Sequence, residues 1–185
     1  LSAVGISRVQ IRHDTLDWLP TGNALAPAIA AIDEHLCGSS SLTVLLDFGK
    51  PGVVRQPETL ARLARIEADV RAYRDPATGQ PVVKDVSSVL DMTRSVWHAL
   101  REPGDTSELP ADPTRAAGVI DFVELFAPRD LAEFATTDGQ HTRINVRRSW
   151  ADAEASQQLI EHVRAVLRHE LGTDAKPAIV GPMVV

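Results

Sequence analysis

The chain has 185 residues, of which 44% are hydrophobic and only 4% aromatic, so its core must be assembled from Leu, Val, Ile and Ala. A formal net charge of -6, with arginines scattered rather than blocked together, argues against a nucleic-acid partner. Cys37 is the single cysteine, which excludes an internal disulfide and a thiolate metal cluster.

No stretch approaches the roughly 20 apolar residues that cross a bilayer. Residues 1–11 lack the basic start and long apolar run of a signal peptide. A chain opening on Leu1 reads as a segment trimmed from a longer protein.

In chain order, Ile6 to Ile11 alternates as a short strand does, and the stretch from His13 to Pro20 is a polar linker. Leu25, Ile29, Ile32 and Leu36 recur at helical spacing, and Gly38 supplies the stop. The apolar run Leu42 to Phe48 predicts a strand covered on both faces. Pro57 fits a first helical turn, and Leu60, Leu63, Ile66 and Val70 form one stripe of the helix that follows. A turn at Asp75 to Gly79 leads to a strand over Val82 to Val86, parallel to the first.

Ser87 and Ser88 are suited to cap a helix from Val89 to Leu100. A Pro- and Gly-rich loop then precedes a helix from Thr114 to Phe126, anchored by Ile120, Val123 and Phe126 and ended by Pro128; Asp130 to Phe134 fits one further helical turn. His141 to Arg147 alternates as a third strand, with Ile144 and Val146 on one side. Asp152 to Leu171 is the longest helix, with Gly172 as its stop, and Ala178 to Val185 is a final strand broken by Gly181 and Pro182.

The plan is an α/β (α+β) domain: two βαβ units sharing a split, ferredoxin-like sheet, with a two-helix insertion between them. As one domain over residues 1–185, it divides into an opening strand, linker and helix (1–37), a first βαβ unit (41–87), the helical insertion (88–137) and a second βαβ unit (141–185).

Candidate chemistry is sparse, and no cofactor or metal is expected. Gly49-Lys50-Pro51-Gly52 follows a strand but lacks the spacing of a phosphate-binding loop. His162 and His169 are seven apart among charged neighbours, which describes a solvated helix face better than a zinc site. His13, Asp14 and Asp17 form a polar cluster that would serve acid–base chemistry or a metal if the chain were an enzyme, although linkers are polar by default. Ser87-Ser88 lacks the glycines of a nucleophile elbow. The helix from Thr114 to Phe126 is apolar nearly all round, so it is either buried or contacts a partner or greasy ligand through Ile120, Phe122, Val123 and Phe126.

The order of these pieces resembles the periplasmic loop of RND-superfamily exporters, including the MMPL-like and hydrophobe/amphiphile branches. Gly5 to Ile11 resembles the chain leaving a first membrane helix, and His13-Asp14-Thr15-Leu16-Asp17-Trp18-Leu19-Pro20 resembles the start of that loop. Ala30 to Leu36 with Gly38, Leu42 to Asp47, Pro57 to Leu60, Val83 to Val89, the bend at Leu109-Pro110, and Arg143 to Val146 resemble its successive helices and strands.

The resemblance implies a non-catalytic domain of a proton-driven exporter, on the periplasmic side of the bacterial inner membrane. Its implied partners are the parent transmembrane domain, a second similar periplasmic domain, a hydrophobic or amphiphilic substrate and, in an oligomeric parent, further copies of itself. The family's proton-relay residues lie in membrane helices, so none maps onto this chain. The rival readings are a stand-alone ferredoxin-like module for ligand binding or dimerisation, and an enzyme centred on His13, Asp14 and Asp17.

Overall fold

A computed structural model describes residue 20 and residues 22–151 and 153–181. The predicted opening strand, the polar linker with His13, Asp14 and Asp17, and the chain after Gly181 lie outside the described residues.

Among the described residues, six α-helices and four strands follow in the order α1 (Leu25–His35), β1 (Ser40–Asp47), α2 (Pro57–Arg71), β2 (Val83–Ser87), α3 (Val89–Leu100), α4 (Pro113–Phe126), α5 (Pro128–Ala132), β3 (His141–Arg148), α6 (Ala153–Leu171) and β4 (Lys176–Val180). The strands form one sheet in the order β2-β3-β1-β4, and every neighbouring pair is antiparallel. β1 and β2 therefore run parallel with β3 between them, and β3 and β4 run parallel with β1 between them. Each βαβ unit is split by a strand of the other.

One face of the sheet meets the helices. Leu42, Val44 and Leu46 of β1, Val83 and Val86 of β2, and Ile144 and Val146 of β3 join a core with Leu60, Leu63, Ile66 and Val70 of α2 and Leu159, Ile160, Val163 and Leu167 of α6. Both long helices thus bury the stripe their periodicity predicts, each fully buried Leu contributing about 1.5–3 kcal/mol. Pro57 takes the first helical position of α2, and Gly172 (φ 54) follows α6 in the left-handed region.

Four expectations are corrected. β1 alternates buried and exposed residues rather than being covered twice: Leu45 is 44% exposed, because none of the described helices covers its side of the sheet. α1 buries none of its residues, with Leu25 and Leu36 exposed, so its apolar spacing does not put it in the core. Pro128 ends α4 by starting α5 at its first position, two residues earlier than the helical turn expected there. β4 begins at Lys176, because its pairing with β1 starts at the Asp47–Lys176 register.

At the other end of β1, the Asp33 carboxylate of α1 accepts the Ser39 N–H (2.6 Å) and the Trp150 N–H (2.9 Å). Burial pushes the pKa of Asp33 up, but the Ser39 side chain and these backbone donors outweigh it and leave the group below its ordinary value.

Candidate functional site

Two surfaces stand out: a groove between α3 and α4, and one end of the open sheet face. The groove is built by strong local signals. Ser88 caps α3: its hydroxyl accepts from the Leu90 N–H, while Asp91 accepts the Ser88 N–H (3.0 Å), completing a capping box. Asp112 caps α4 through the Arg115 N–H (2.9 Å). Val89, Leu90, Thr93 and Trp97 of α3 and Ala116, Val119, Ile120 and Val123 of α4 point inward.

That inward set decides what α4 leaves outside. Phe122, Leu125 and Phe126 are 40%, 73% and 69% exposed. Phe122 and Phe126, one turn apart, pack against each other with ring centroids 4.5 Å apart and planes tilted by 36°. With Met92, Val96 and Ala127 they line a groove of about 300 Å³, and Asp91 and Asp130 stand at its edge.

Of the four residues expected to make contacts, Phe122 and Phe126 are available at the groove. Ile120 (3% exposed) and Val123 (4%) belong to the core, with Val123 forming the groove floor. Phe126 is not the anchor that its spacing suggested; Ala116 and Val119 complete the buried stripe instead. Met92, Val96 and Leu125 were missed, although Met92 and Val96 are one helical turn apart on α3.

The open face presents a second arrangement. After α5 the chain turns back on β3: Arg143 N–H donates to Phe134 O (2.8 Å) and Thr136 N–H to His141 O (3.0 Å). Strand register then aligns Phe134, Arg143, Leu45 and Ala178 across the sheet, with Thr136, His141, Asp47 and Lys176 as the next row. A cleft of about 270 Å³ lies over these rows. The Gln140 amide (3.0 Å) and the Gly49 N–H (2.7 Å) hold the Asp47 carboxyl below its usual range, and His141 stands 3.5 Å away.

Buried polar groups elsewhere serve the fold. Glu67 of α2 is fully buried; it accepts from the Ser88 hydroxyl (2.6 Å) and from Arg94 (2.9 Å), tying α2 to the start of α3. Burial pushes its pKa up, against the pull of these two donors. Ser88 is therefore fully employed as a cap and a tether. His162 packs against Tyr73 at 4.8 Å between ring centroids, so it is less of a bare solvated residue than its neighbours suggested. Cys37 is exposed at φ 60. Among the described residues no group of three or more His, Cys, Asp or Glu could hold a metal ion, and no helix is long and apolar enough to cross a membrane.

No protein-family model matches the chain, and no curated protein matches it either. The assignment therefore stops at a mixed α/β domain with a four-stranded antiparallel sheet, one open sheet face and an exposed aromatic groove.

Proposed function

We propose that the chain is a non-catalytic binding domain, the extracytoplasmic porter-like part of a proton-driven exporter, and that the α3–α4 groove contacts the apolar portion of the exported molecule. The observation that carries this reading is the exposure of Phe122, Leu125 and Phe126 on a capped, well-packed helix. A folded domain normally hides packed aromatics, so an exposed cluster beside a groove marks a contact surface. The order of helices and strands along the chain supports the exporter assignment by its resemblance to periplasmic loops of the RND superfamily.

Two measurements test the two halves of the proposal. Nile red titrated into the 185-residue chain should brighten and shift to the blue, and Phe122→Ser or Phe126→Ser should weaken its binding several-fold with folding retained. Equal binding by both variants removes the groove from the mechanism. In cells carrying the parent protein, a membrane-impermeant maleimide should label exposed Cys37 from outside the inner membrane, with Cys37→Ser as the control. Labelling only after lysis would sink the exporter reading.

The uncovered sheet face favours a second reading, a free-standing module that binds ligand or dimerises through its sheet. That reading requires a parent without apolar runs of about 20 residues on either side of this segment.

A further inference from the structure

We propose that the end of the open sheet face around Arg143 binds a small organic carboxylate with an apolar chain. The site is separate from the α3–α4 groove: the two share no lining residue.

Arg143 carries the argument. Among the described residues, the arginines that are at least half-buried are Arg55, Arg62, Arg94, Arg101, Arg143 and Arg148. Arg55 bonds Asp121, Glu124 and Thr137 O, and Arg62 bonds Asp174. Arg94 bonds Glu67, Arg101 bonds Ser107 O, and Arg148 bonds Ser156. Arg143 alone makes no side-chain hydrogen bond. Its Nε is buried without a partner, and its nearest carboxylate, Glu133, stands off at 4.0 Å. A buried Nε without an acceptor is costly, and a carboxylate entering the cleft, where the rest of the side chain is 38% exposed, gives the guanidinium a charge-assisted partner.

The surroundings define the rest of the ligand. The Phe134 ring lies 5.6 Å from the guanidinium carbon and fixes its position by a cation–π contact. Leu45 and Ala178 continue the row beyond Arg143 and present an apolar floor. Lys176, at the end of the neighbouring row, adds a second cation. The one carboxylate between Lys176 and His141, Asp47, is already occupied by Gln140 and Gly49. An anionic head at Arg143 with a short hydrocarbon body along Leu45 and Ala178 satisfies both the charge and the surface, and a cleft of about 270 Å³ limits that body to a medium chain.

The test is calorimetric titration of the 185-residue chain with octanoate, octanol, octylamine and acetate. Octanoate should bind about tenfold more tightly than octanol, the advantage of one charge-assisted contact, and octylamine and acetate should bind more weakly still. Arg143→Met keeps the apolar stem and should remove the preference for octanoate, whereas Arg143→Lys, which keeps the charge but not the fork, should retain part of it. Phe126→Ser should leave the preference for octanoate over octanol unchanged, whatever apolar binding the groove adds to both, so failure of the groove reading and failure of this one are separable. Octanol binding as tightly as octanoate, or a preference for octanoate that survives Arg143→Met, overturns the proposal. Loss with Phe126→Ser in place of Arg143→Met does so too, by moving the ligand to the helical groove.

Discussion

Gly38 joins α1 to β1 where the chain passes directly over the end of β3. Its φ is 99, a conformation that residues with a Cβ rarely adopt. A Cβ there would stand 2.4 Å from Arg148 O and 2.7 Å from Arg148 C, about 1 Å short of ordinary van der Waals contact. The neighbour is backbone held in the β1–β3 ladder at the Ser40–Arg148 pair, so it cannot swing aside as a flexible side chain would. Gly38→Ala therefore combines backbone strain of about 1–2 kcal/mol with a steric term of similar size, roughly 3 kcal/mol in all. For a domain of this length that lowers Tm by about 6–12 °C in a thermal melt followed by circular dichroism. Gly49→Ala is the control: φ is 68, but nothing lies within 4 Å of the added carbon. It carries only the conformational part and should lower Tm by about 2–8 °C. Equal losses for the two variants would show that the close approach to Arg148 contributes nothing.

Gly118 lies on the exposed side of α4 with open space around its added Cβ, so Gly118→Ala should stabilise the helix by about 0.5–1 kcal/mol and raise Tm by a few degrees. Glu67 gives a pH signature. Its folded-state pKa is raised by burial, so the native state holds the proton more tightly than the unfolded chain does. The stability it contributes is fully present below the unfolded carboxyl pKa and falls as pH rises through the folded value. Glu67→Gln removes that dependence; urea midpoints from acid to neutral pH should show wild type losing ground to the variant as pH rises. A wild-type advantage that grows with pH would mean the Arg94 pair outweighs burial. Leu63, fully buried between α2 and the sheet, should cost about 2–5 kcal/mol when changed to Ala, read from the same urea midpoints.

Much of the architecture is local in origin. The stripes of α2 and α6, the proline that starts α2, the serine that caps α3, the glycine after α6 and the alternation of β3 each act within a turn or a few residues of chain. Periodicity and capping therefore announce them before any tertiary contact is known. The same local signals made Phe122 and Phe126 candidates for contact, and the structure leaves both exposed.

What the tertiary structure alone decided is which side of each element meets another. The apolar run of β1 suits cover on both faces, yet the described helices all lie on one side, and Leu45 is left at the surface. α1 carries a helical stripe but has nothing packed deeply against it. α4 is apolar nearly all round, so its own pattern does not choose between Val119 and Phe126; contact with the core and with α3 does. The Arg143 cleft was invisible for the strongest reason. Leu45, Phe134, Arg143 and Ala178 lie far apart along the chain, and only the β3-β1-β4 register, with the turn that folds Phe134 back on β3, sets them in one row.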